Sequence, residues 1–207
     1  LFAIDAGAAD AFLVAAAPDR IALVPQGAAG LAVAALTTID KTRRVAELGF
    51  EGVRPAAWIE APGIALRVVT AARIAIAADA LGACDRALEM AVAYAKQREQ
   101  FGRAIATFQA VKHLCSEMAA EIEPARSLVW YAAHAFDHRP EEAERMALLA
   151  KAHLCEIATS VVRTATEVHG GIGFTSEYDL HLWFKRAGLD RQLLGSPETT
   201  RALTPVA

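Results

Sequence analysis

Basic residues nowhere gather into a stripe. The 21 Lys and Arg stand against 24 Asp and Glu for a formal net charge of -3, so the electrostatic footprint of a nucleic-acid binder is missing and a small-molecule or protein partner is the better expectation. Long apolar runs are missing too. Ile64 to Val69 contains Arg67, and the alanine-rich run after Ile74 meets Asp79 and Asp85, so no span reaches the roughly 18 to 20 apolar residues of a membrane helix. Leu1 to Asp5 lack the charged start and cleavage site of a signal peptide, and residue 1 is not Met, so an upstream start is expected. Cysteine is scarce: Cys84, Cys115 and Cys155 are odd in number and far apart. That usage fits reduced, buried thiols in a cytoplasmic protein better than disulfides or a zinc site.

What is present is the material of a globular chain, 207 residues with 55% hydrophobic and 22% charged content. Residues 1–62 show short apolar runs punctuated by Gly, Pro and Asp. Ala11 to Ala15, Ile21 to Val24 and Leu31 to Val33 read as strands, with Ala17-Pro18-Asp19-Arg20 as a hairpin turn and Val45 to Phe50 and Ala57 to Ile59 as further candidates. After Ala61-Pro62-Gly63 the period changes. Ile74, Ala77, Leu81, Cys84, Leu88, Val92 and Ala95 recur at steps of three and four, which predicts an amphipathic helix ending near Gly102.

A second helix is expected from about Phe108 to Phe136, kinked or broken at Pro124. A third begins at Pro140, with Glu141, Glu142 and Glu144 near the positive end of its dipole, and stops at Gly170-Gly171. A shorter fourth covers Ser176 to about Leu194. Four helices joined by short loops predict a mainly α chain, an antiparallel four-helix bundle over residues 63–207 preceded by a β-rich piece over residues 1–62, small for a free-standing domain.

Three motifs stand out within the helical part. Tyr94 and Arg98 lead into Gln100-Phe101-Gly102, Phe108-Gln109 follows, and His169-Gly170-Gly171-Ile172-Gly173-Phe174 closes the set between Thr166-Glu167-Val168 and Ser176-Glu177-Tyr178. The glycine spacing is not that of a dinucleotide fingerprint. In order and spacing these stretches resemble the carboxy-terminal half of the acyl-CoA dehydrogenase family, with residues 1–62 similar to the end of its middle β domain, where Asp40, Thr42 and Arg43 carry a weaker match. The chain looks like the last half of such a protein, by fragmentation or natural truncation.

The resemblance implies an FAD flavoprotein that oxidises the α,β bond of an acyl-CoA thioester. It implies cofactor contacts by Arg98, Gln100, Phe101, Gln109, Glu167, Gly170 and Gly171, with the arginine reaching the FAD pyrophosphate as a planar, permanently charged donor. The paired glycines would let backbone approach the adenine end, while Glu167 stands where the family often has glutamine. These contacts typically serve a neighbouring subunit, so a homo- or hetero-oligomer, a dimer or tetramer, is implied.

The resemblance also exposes a gap. Dehydrogenation needs a carboxylate base opposite the flavin, and the two positions that carry it in the family fall here on Leu194 and on Ala72, followed by Arg73. Arg73 is retained as an implied substrate-binding residue and no catalytic residue is assigned. Glu177, Asp190 and Glu198 lie near in sequence, and each reads equally as a surface or capping carboxylate. Lys185-Arg186 departs from the Arg-Asp pair common in the family, and His113, His134, His138, His153 and His181 match no catalytic pattern. Two further readings therefore stand beside the dehydrogenase: a non-catalytic partner or scaffold of a heteromeric enzyme, and a related flavin-dependent monooxygenase or oxidase.

Overall fold

The computed structural model describes residues 1–204. Contacts between Cα atoms divide the chain into two compact units, the first Leu1–Val69 and the second starting at Thr70.

The first unit is built from β1 (Phe2–Ile4), β2 (Ala11–Ala17), β3 (Arg20–Pro25), β4 (Leu31–Leu36), β5 (Val45–Phe50) and β6 (Ala57–Glu60). They pair antiparallel as two three-stranded sheets, β1-β5-β4 and β2-β3-β6. Alternation decides which face is buried: along β5, Ala46 and Leu48 are buried while Glu47 and Gly49 are exposed. Phe12, Ala22 and Val24 complete the small core. Pro18-Asp19 forms the expected hairpin turn between β2 and β3, and Asp19 also accepts the Gly63 N–H at 2.6 Å. Strand β1 is not legible in the sequence because three residues are too few to show a period.

Helix α1 (Ile64–Gln97) runs for 34 residues. A two-stranded hairpin follows, β7 (Glu99–Gln100) with β8 (Arg103–Ala104), then α2 (Gln109–His138), α3 (Pro140–His169) and α4 (Leu180–Gln192). The four expected helices are thus present, and a short α5 (Pro197–Leu203) comes after them, capped by Ser196, whose side chain accepts from the Thr199 N–H. Alanine, the best helix former, lines the contacts: Ala77, Ala80, Ala87 and Ala91 on α1 and Ala147, Ala150, Ala158 and Ala165 on α3 are all 0% exposed. Leu154 packs into the same core and Leu148 is likewise fully buried, each contributing about 2 kcal/mol of burial. Ion pairs tie the helices at their edges, Arg126 to Asp85 at 2.8 Å and Arg186 to Asp79 at 3.3 Å.

Pro124 does not interrupt α2, which is continuous from Gln109 to His138. Both Pro124 and Ala120, the residue whose carbonyl the proline cannot serve, are exposed. Water can satisfy that carbonyl, so the proline is tolerated without a break. Cys84 and Cys155 are buried and Cys115 half-buried, all three as free thiols. No described helix is long and apolar enough to cross a membrane.

Candidate functional site

The carboxy-terminal end of α1 passes directly into the β7–β8 hairpin. The Arg98 N–H donates to the Tyr94 carbonyl at 2.8 Å and the Ile105 N–H returns to the Arg98 carbonyl at 2.8 Å. Two residues turn the hairpin, Phe101 at φ 55° and Gly102 at φ 74°, the pair of positive values that a tight hairpin turn needs. Glycine adopts this freely; for phenylalanine it costs on the order of 1 kcal/mol. The Phe101 ring is 92% exposed, meeting Phe108 edge-on at 6.1 Å, while the Arg103 guanidinium lies 4.1 Å over the Phe108 ring. Arg98, Gln100 and Gln109 are all exposed. Arg98 forms no ion pair among the described residues.

A ring stack joins this end of α1 to the end of α3. Tyr94 lies 4.6 Å from His169 at 26°, and Tyr178 packs against His169 at 4.8 Å. His169 is buried, and its Nδ1 lies 2.6 Å from the Ala165 carbonyl. A carbonyl only accepts, so Nδ1 carries a proton, and burial lowers the imidazole pKa, with the Ala165 hydrogen bond acting in the opposite direction. Gly170 ends α3 at φ 64°, its N–H bonded back to Glu167 and Thr166. A Cβ at Gly170 or Gly171 would meet nothing within 4 Å, whereas one at Gly173 would stand 3.0 Å from both the His169 Cβ and the Thr166 carbonyl. Gly173 therefore packs the turn against α3, and Gly170 and Gly171 leave backbone open to approach.

The structure thus brings Arg98, Gln100, Phe101, Gln109, Glu167, Gly170 and Gly171 to one end of the helical unit, all solvent-facing. An unpaired planar cation beside open backbone is chemically suited to a pyrophosphate and a flat adenine ring, and the residues present fit FAD in that sense.

Arg73 is not part of this group. From Arg73 to Arg98, α1 advances about 37 Å at its rise of roughly 1.5 Å per residue. Arg73 is 9% exposed, and its Nε is buried with no partner among the described residues. Burial lowers its guanidinium pKa, with Glu144 acting weakly in the opposite direction. Ala72 beside it is half-buried.

Sequence reasoning missed Lys151. It is 0% exposed in α3, and its Nζ donates to the carbonyls of Gly195 at 2.5 Å, Asp190 at 3.3 Å and Arg191 at 3.4 Å. A signal existed, because a lone charge interrupts the apolar face between Ala150 and Leu154. Burial lowers the Lys151 pKa, and Arg73 is near enough to add to that lowering. Lys151 therefore bonds to the residue after Leu194, and Arg73, the residue after Ala72, acts on its charge.

Three carboxylates lie near Leu194 in sequence. Glu177 is exposed. Asp190 is 2% exposed on the last turn of α4. Glu198 pairs with Arg191, and its pKa is lowered first by the Ser196 hydrogen bond, which makes it a weaker base.

Residues 63–204 match the model of the acyl-CoA dehydrogenase C-terminal domain. The chain is 41% identical over 162 residues to acyl-CoA dehydrogenase IpdE2 of Mycobacterium tuberculosis, covering 78% of this chain and 47% of that protein. It superposes on butyryl-CoA dehydrogenase from Megasphaera elsdenii with a TM-score of 0.88 at 28% identity, over 97% of this chain and 56% of that one. A variant of the Tcur3481-Tcur3483 steroid ACAD aligns with a TM-score of 0.85 at 30% identity, over 95% of this chain and 54% of that one. The chain spans about half the length of these relatives. Members of the family are FAD-dependent oxidoreductases acting on CH–CH groups. By the match over residues 63–204, this chain belongs to the acyl-CoA dehydrogenase family.

Proposed function

We propose that the chain supplies FAD-contacting surface to a flavoprotein of acyl-CoA metabolism in the cytoplasm, as the end of a middle β domain (residues 1–62) followed by the carboxy-terminal helical domain (residues 63–207). The observation that carries this reading is the joint placement of an exposed, unpaired Arg98 and the open Gly170-Gly171 turn at one end of the helical unit. In this reading Arg98 holds the pyrophosphate through paired N–H donors, Gln100 and Gln109 add hydrogen bonds, Phe101 offers an apolar face, and Gly170 and Gly171 lie against the adenine end beside Glu167. These groups face outward, so they serve a cofactor held by a neighbouring subunit. Bound FAD supplies an acceptor for the hydride that leaves the substrate β-carbon.

Replacing Arg98 with alanine tests the reading in the assembled protein. Loss of a charge-assisted bidentate contact should weaken flavin retention by about 10- to 100-fold, read by flavin release on dilution. Unchanged retention would count against it.

A second reading is favoured by Leu194 and Ala72, which put no base at either expected position. Here the chain is the non-catalytic member of a heteromeric acyl-CoA dehydrogenase, with an acyl-CoA processed at a partner's complete site. The Tcur3481-Tcur3483 steroid ACAD carries two components in its name, which is the kind of assembly this reading expects. Leu194→Glu separates the two readings. Bleaching of the flavin by an acyl-CoA in the variant but not in the parent would show that only a carboxylate was missing.

A further inference from the structure

We propose that Lys151 is a positioning residue for the turn at Leu194. Its ammonium clamps this turn from inside the bundle and fixes the direction in which residue 194 points. An ammonium has three donors and no acceptor, and three carbonyls surround this one, at 2.5, 3.3 and 3.4 Å. Two of them, Asp190 and Arg191, belong to the last turn of α4, whose carbonyls lack helical partners. A simple helix cap would need no more. The third and shortest bond crosses to Gly195, beyond the helix end.

The backbone between them is unusual. Leu193 is extended at φ -62°, ψ 132°, while Leu194 has φ 53° and Gly195 φ 105°. Leucine rarely occupies the left-handed region, and such a conformation persists where the surroundings over-determine it. Ser196 caps α5 immediately afterwards, so the turn is held from both sides. The charges that face Lys151 explain why the clamp is demanding: Asp190 favours the ammonium, Arg73 and Arg191 oppose it, and Cys155 adds a thiol 3.9 Å away.

Hydrogen exchange on the whole protein tests this without flavin or substrate. In Lys151→Met, amides of residues 190–196 should exchange at least about tenfold faster than in Leu148→Ala, a neighbouring buried truncation that leaves the clamp intact. Equal exchange in the two variants would overturn the proposal. If Lys151→Met does not fold, Lys151→Gln, which keeps a neutral donor on a similar stem, takes its place in the same comparison, and equal exchange would overturn the proposal there too.

That residue 194 faces an acyl site rests on the proposed flavoprotein reading. Where Leu194→Glu gains turnover, adding Lys151→Met should lower kcat by about 100-fold with little change in KM, as expected of a misplaced base. An unchanged kcat would remove the positioning role. If Leu194→Glu gains nothing, the reading of residue 194 as the place of a base fails on its own and the exchange result still decides the clamp.

Discussion

The two ends of the helical unit are organised oppositely. At the end carrying Arg98, polar groups are exposed, the cation is unpaired, and backbone stands open at Gly170 and Gly171. At the end carrying Leu194, two cations, Arg73 and Lys151, are buried, and Leu194 itself is 41% exposed. The difference teaches where each end gets its definition. The first is shaped by what it leaves open to solvent. The second is shaped by an internal clamp and presents an aliphatic side chain, Leu194.

Thiol chemistry should expose this contrast most strongly. Cys155 sits at the clamp, 3.5 Å from the Asp190 carbonyl, and burial raises its pKa to about 11, while burial raises that of Cys84 to about 12. Cys115, on α2 near Gln109, is only half-buried, though burial raises its pKa also. At neutral pH the thiolate fractions of Cys155 and Cys84 fall about 100- and 1,000-fold below those of an ordinary thiol. Alkylation followed by peptide mass analysis should therefore modify Cys115 first and leave the other two until unfolding. Early labelling of Cys155 would mean that the clamp end opens readily.

The sign of the linked stability follows. Unfolded thiols ionise near their model value of 9.0 while the buried ones stay protonated, so this contribution is complete below pH 9 and lost as pH rises toward 12.

Within the exposed end, the glycines allow a sharper separation of ligand approach from packing. Gly173→Ala forces a Cβ to 3.0 Å from the Thr166 carbonyl and the His169 Cβ, and should destabilise the protein by about 1 to 3 kcal/mol in urea unfolding. Gly171→Ala meets open space. It should change stability by less than about 0.5 kcal/mol while lowering flavin retention. A reversed pattern, with Gly171→Ala costly and Gly173→Ala silent, would break the assignment of the turn.

The sequence made one end legible and not the other for physical reasons. Motifs at the exposed end are contiguous, and turns announce themselves: Phe101-Gly102 reverses a hairpin and Gly170-Gly171 stops a helix, both local events. The three- and four-residue period gave the long helices because one face of each is buried by its neighbours. Lys151 left a signal as a lone charge on the apolar face, but its role was illegible because its partners lie near residues 190–195, and nothing in α3 alone says which carbonyls will meet it. At Pro124 local chemistry predicts a kink or a break, and exposure of the Ala120 turn to water removes the need for a break. Helix α5 is seven residues long, too short for its own period to stand out.

The smallest expected effect lies at the hairpin tip. The left-handed backbone of Phe101 costs on the order of 1 kcal/mol, and at 92% exposure its ring recovers little of this by burial. Asparagine before glycine is the favoured pair for such a turn. Phe101→Asn should therefore raise stability by up to about 1 kcal/mol, less whatever the edge-on contact with Phe108 contributes, and the shift can be read by thermal unfolding. If Phe101 is held there for the cofactor, the same variant should retain flavin less well, so stability and binding would move in opposite directions. A variant that loses stability and keeps its flavin would instead make Phe101 a structural residue and narrow the exposed site to Arg98, the glutamines and the glycine turn.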